Sequence, residues 1–186
     1  MEHVMRIFES GRSLFNTLTT AAFLLVGLAG WSIQASAQLV QCIGTDTVTF
    51  NPAMTNTAQT LQVGIGSNFS SCLGDSSVPS GTSDYSIERT YSCSALLQGG
   101  PGSRVITWSN GQTSTFSYTA TTEVSELGEV VLTLTGNISA GLFQDQSAEQ
   151  VSVLTNLGEP DFATACMGSG VTQLSGPTTL TILPAL

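Results

Sequence analysis

Tyr85, Ile87, Arg89, Tyr91 and Cys93 alternate without a break with Ser86, Glu88, Thr90 and Ser92. A period of two sustained over such a run fits an extended strand with one face turned to a core and the other to water. The same pattern recurs along the chain in shorter form. Cys42, Val48 and Phe50 share one face of a run from Cys42 to Phe50, and Asn51-Pro52 is expected to end it. Leu61, Val63 and Ile65 alternate next, then Val130, Leu132 and Leu134, with further runs at Gln150–Thr155 and Leu174–Leu183. Asn110-Gly111 predicts a two-residue hairpin turn between Val105–Ser109 and Thr113–Ala120, with Trp108, Phe116 and Tyr118 on its buried side. Ser70–Asp84, Gly99-Gly100-Pro101-Gly102 and Leu157–Gly170 read as loops, and no stretch carries a helical period. The expected fold is all-β, an antiparallel β-sandwich of about eight strands.

The first residues read as an export signal. Arg6 and Arg12 precede an apolar run from Ala21 to Trp31, and Ala35-Ser36-Ala37 gives an A-x-A cleavage site before Gln38. The apolar run is about half of what a membrane-spanning helix needs. The expectation is a signal peptide at 1–37, a single secreted domain at 38–186, and no stable membrane insertion after cleavage. That mature segment keeps two cations, Arg89 and Arg104, against eleven acids, and the chain contains no lysine. A surface so negative repels nucleic acid and anionic lipid.

The same composition excludes much chemistry. His3, within the expected signal, is the single histidine. Residues 38–186 therefore lack an imidazole or an amine to act as base for a serine or cysteine nucleophile, as a zinc ligand, or as a Schiff-base former. Gly74-Asp75-Ser76 resembles the nucleophile block of GDS-type esterases, but with no histidine partner it reads as a turn. Carboxylate-only glycoside hydrolysis remains chemically open through Glu88, Glu123, Glu126 and Glu129, which otherwise form a solvated acidic face. No catalytic residue, cofactor or metal ligand is assigned. Arg89 shares a face with Tyr85, Ile87 and Tyr91. It is expected near a sheet edge, its stem packed on the tyrosines, with a carboxylate or ring face as partner; the alternative is a ligand-binding cation, one of the two that residues 38–186 hold.

Four cysteines in an exported domain predict two disulfides. Cys42 and Cys93 both fall on core-facing strand positions, whereas Cys72 and Cys166 both fall in expected loops. The expected pairs are Cys42–Cys93 and Cys72–Cys166. Cys42–Cys72 is the main rival, because the first two runs would be neighbours in a hairpin.

Several short segments together resemble the small secreted disulfide-containing β-proteins common in actinobacteria, a group with no characterised function. They are Cys42-Ile43-Gly44, Val48-Thr49-Phe50-Asn51-Pro52, Cys93, Ile106-Thr107-Trp108-Ser109-Asn110-Gly111 with Ser114-Thr115, Cys166, and Gly176-Pro177-Thr178-Thr179-Leu180-Thr181. The resemblance spans nearly all of 38–186. It implies fold and location and supplies no active site. An immunoglobulin domain fits less well, because Trp108 follows both Cys42 and Cys93 instead of lying between them. The functional expectation is a secreted, non-enzymatic binding module for an extracellular small molecule, glycan or protein. The alternatives are a subunit of an extracellular assembly or a carboxylate-only glycoside hydrolase.

Overall fold

The computed structural model describes residues 39–156 and 161–184. The expected signal peptide and its cleavage residues Ala35, Ala37 and Gln38 lie outside these. Within the described residues eight strands run in chain order: β1 (Val40–Met54), β2 (Gln59–Leu73), β3 (Gly81–Tyr91), β4 (Gly100–Trp108), β5 (Thr113–Val124), β6 (Val130–Gly141), β7 (Ser147–Asn156) and β8 (Val171–Leu183). Two short helices interrupt them, α1 (Cys93–Leu96) after β3 and α2 (Phe162–Met167) before β8.

The all-β expectation holds, and the sandwich is corrected to a barrel. Each strand pairs antiparallel with the next, and β8 returns to pair with β1, from Val40 against Ile182 to Met54 against Val171. Alternation alone reports one buried face per strand and is equally compatible with two stacked sheets or one sheet closed on itself. The strands are also longer than their alternating runs. β1 continues to Met54 through Pro52, which lies past its last β2 partner, Asn51, and in the register irregularity of the β1–β8 ladder, where no ladder N–H is required of it.

The inward positions build two apolar clusters. One contains Val40, Cys42, Phe69, Ile106, Trp108, Phe116, Ile138, Leu180 and Ile182. The other contains Phe50, Met54, Leu61, Cys93, Leu154, Phe162, Cys166 and Leu174. Trp108 donates its indole N–H to Ser114 Oγ at 2.8 Å, so its burial leaves no orphan donor. The Asn110-Gly111 hairpin forms, but its loop is three residues long. Trp108 N–H donates to the Gln112 carbonyl and Gly111 N–H to the Trp108 carbonyl, and Gly111 takes the left-handed conformation (φ 82°) that such a loop needs.

The disulfides are Cys42–Cys72 and Cys93–Cys166, which corrects the expected pairing of Cys42 with Cys93 and of Cys72 with Cys166. Cys72 is not in a loop. β2 runs on to Leu73, and an extra residue around Phe69-Ser70 restores an inward direction at Cys72, directly across from Cys42. Cys93 is not on a strand. It opens α1 behind the Ser92 cap and bonds to Cys166 of α2, whose own cap is Asp161. Thr164 donates both its backbone N–H and its hydroxyl to the Asp161 carboxylate, holding that carboxyl below its ordinary value. Among the described residues no helix is long and apolar enough to cross a membrane.

Candidate functional site

The barrel is closed unevenly. β3 and β4 pair only at Gly81–Trp108 and Thr82–Thr107. Beyond those pairs β3 keeps its ladder to β2 as far as Tyr91, and β4 keeps its ladder to β5 from Gly100, but the two strands no longer bond to each other. The local sequence suits such a seam. Pro101 lacks a ladder donor, and Arg89 is a charged side chain on an edge strand, the kind of residue that discourages further pairing.

Behind the seam lies a cavity of about 540 Å³. Val48 and Phe50 of β1, Val63 and Ile65 of β2, and Leu132 and Leu134 of β6 form its apolar wall. The inward face of β3, read from the sequence as Tyr85, Ile87, Arg89 and Tyr91, lines one side of it, which is why Ile87 stays 43% exposed. Gly102 clears space for the Tyr118 ring, since a Cβ there would meet that ring at 2.6 Å. All three tyrosines of the chain, Tyr85, Tyr91 and Tyr118, line this cavity together with Arg89 and Arg104.

Its polar end is a buried network. Asp46, Ser67, Gln150, Ser152 and Thr178 are each at most 2% exposed and point inward from β1, β2, β7 and β8. Asp46 Oδ1 accepts from the Ser67 hydroxyl, and Oδ2 accepts from Gln150 Nε2 at 3.0 Å and from Ser152 Oγ at 2.6 Å. Arg104 of β4, 5% exposed, donates from Nη1 to Ser67 Oγ at 2.9 Å and stands 5.9 Å from the Phe116 ring centre. One hydroxyl therefore separates guanidinium and carboxylate. Burial pulls the Arg104 pKa down, opposed by the field of Asp46 and then of the Tyr118 and Tyr85 phenols. Arg104 Nε and Nη2 have no hydrogen-bond partner among the described residues.

Burial also pushes the Tyr85 phenol well up, reinforced by the Tyr118 hydroxyl 3.5 Å away, so at neutral pH Tyr85 is a hydrogen-bond donor. Burial raises Tyr91 in the same direction. Arg89 lies 5.4 Å from the centre of the Tyr91 ring, the ring-face partner expected for it at a sheet edge.

The acids considered for hydrolysis do not converge here. Glu88 and Glu123 are exposed residues of β3 and β5, and Glu126 and Glu129 lie between β5 and β6; Asp46 is the one acid lining the cavity. Gly74-Asp75-Ser76 forms the turn expected of it, with Asp75 Oδ1 accepting from the Ser77 N–H at 2.8 Å. Asp46 and Arg104 were legible only through parity. Asp46 falls in step with Cys42, Val48 and Phe50, and Arg104 in step with Ile106 and Trp108, once β4 is begun before Val105.

The fold and site together define a closed antiparallel barrel with a laterally opening internal cavity. No protein family, curated protein or solved structure matches the chain.

Proposed function

We propose that the protein is an exported, non-catalytic binding protein whose barrel takes a small, largely apolar ligand into the cavity behind the β3–β4 seam. The cavity itself carries this reading. Its volume of about 540 Å³ falls within the range usual for small-molecule sites. Its walls combine aliphatic and aromatic side chains, with Asp46, Arg104, Tyr85 and Tyr118 toward one end and Arg89 and Tyr91 further along β3, and such a mix of apolar surface with a few polar groups is how small-molecule sites combine affinity with orientation.

The non-catalytic part of the reading rests on chemistry. Residues 38–186 contain no histidine and no lysine. Hydrolysis by paired carboxylates needs a second acid facing the first. The cavity wall supplies only Asp46, with both oxygens already accepting hydrogen bonds. Assembly through strand addition is the weaker alternative, because closure pairs every strand on both sides except along the seam. Export rests on the A-x-A site and the two disulfides, and kinship with the actinobacterial secreted group rests on the short segments quoted above. Recovery from the culture medium of a protein beginning at Gln38 supports export, and a product retaining 1–37 counts against it.

Titration with the neutral apolar fluorophore N-phenyl-1-naphthylamine tests the cavity. The expected result is saturable binding of one probe per barrel. Ala120, on the cavity wall, replaced in Ala120→Trp, should fill the space and abolish the signal while the circular dichroism stays that of the parent. Absence of saturable binding, or binding untouched by Ala120→Trp, would remove this reading in favour of a glycan or protein recognised on the outer surface.

A further inference from the structure

Within that reading, we infer that the ligand is an apolar carboxylate, with its head group held by Arg104. Arg104 uses one of its five N–H groups on Ser67 and, among the described residues, finds no partner for Nε and Nη2. These two nitrogens form the side-on edge of the guanidinium, where two parallel N–H bonds match the two oxygens of a carboxylate. A buried cation normally engages its donors fully, because an unsatisfied charged donor carries its whole desolvation cost. Asp46 does not fill the role. Its two oxygens accept from Ser67, Gln150 and Ser152, and it reaches Arg104 only through the Ser67 hydroxyl.

Tyr85 and Tyr118 add to this. Their hydroxyls face each other at 3.5 Å, both phenols sit in the field of Arg104, and both line the cavity. With one hydroxyl donating to the other, the pair leaves one O–H free, and a ligand oxygen that replaces their mutual bond would receive both. One guanidinium and two phenols suit a single negative charge, and the adjacent Asp46 disfavours a dianion. Nε and Nη2 do not touch solvent, so the head group must part the side chains that now cover them. The aliphatic wall of Val48, Val63, Ile65 and Leu132 takes the apolar remainder of the ligand.

Competition against bound N-phenyl-1-naphthylamine tests this with decanoate, decanol and decylammonium at neutral pH. Decanoate should displace the probe at concentrations roughly ten- to a hundredfold lower than decanol, the range of a charged hydrogen-bonded pair. Decylammonium should compete worst. In Arg104→Met the preference for decanoate over decanol, each read as displacement of the probe from that variant, should vanish. Equal competition by acid and alcohol, or a preference that survives Arg104→Met, overturns the inference and leaves the cavity as a binding site. Failure of the probe to bind removes both. Should Arg104→Met not fold, decanoate labelled with carbon-13 at its carboxyl decides on the parent protein. Its pKa should fall on binding if the head group meets Arg104, and a rise would place it in the apolar end and overturn the inference.

Discussion

Replacing Asp46 by alanine should destabilise the barrel by about 3–5 kcal/mol, because it removes the carboxylate that Arg104 meets through the Ser67 hydroxyl and leaves that buried charge uncompensated. Ser67, Gln150 and Ser152 each lose an acceptor, and Arg104 keeps a buried charge with no carboxylate near it. Against a typical domain stability of roughly 5–15 kcal/mol, the loss is large. It should lower the thermal midpoint by roughly 10 °C. The double variant Asp46→Ala/Arg104→Met should be more stable than Asp46→Ala alone, because it no longer buries an uncompensated cation. Chemical denaturation of the four proteins of this cycle measures it. A double variant less stable than Asp46→Ala would mean that Arg104 acts chiefly through packing on Phe116.

The second large effect concerns the disulfides, which should contribute unequally. Cys93–Cys166 joins positions 73 apart in sequence, whereas Cys42–Cys72 joins positions 30 apart. Loop-closure entropy assigns roughly 4–5 kcal/mol to the first and roughly 3–4 kcal/mol to the second. Their surroundings widen the gap. Cys42 and Cys72 sit on strands already held by a continuous ladder. α1 and α2 are only four and six residues long, and their backbone ties to the rest of the barrel include Cys93 N–H to the Thr55 carbonyl and Asn56 N–H to the Cys166 carbonyl. Cys93→Ala/Cys166→Ala should therefore cost more in urea unfolding than Cys42→Ala/Cys72→Ala. It should also weaken probe binding, because Leu96 of α1 lines the cavity. The reverse order of stabilities would contradict this assignment.

The strands were legible because a strand with one inward face writes its period into the chain, and Tyr85–Tyr91 does so most clearly, although the same alternation runs on to Cys93, which belongs to α1. Barrel closure was not, since it depends on β8 finding β1 across the whole domain, and no local residue encodes that pairing. The cysteine partners are not legible in the sequence, because Gly, Ser and Pro around Cys72 and Cys166 resemble loop, while a bulge carries β2 past Cys72 and Asp161 starts a helix before Cys166. Alternation alone puts Tyr85, Ile87, Arg89 and Tyr91 on one face of β3, with Arg89 expected near an edge. What it faces, and the seam that exposes it, depends on where the β3–β4 ladder stops.

Chemical-shift mapping of the nitrogen-15-labelled protein during titration with decanoate tests the central claim most directly. The account predicts saturable shifts at inward residues of β3, β4 and β5, centred on Tyr85, Arg104 and Tyr118, with the outer face of β7 and β8 unmoved. Shifts confined to surface loops, or no shifts at saturating ligand, would contradict it.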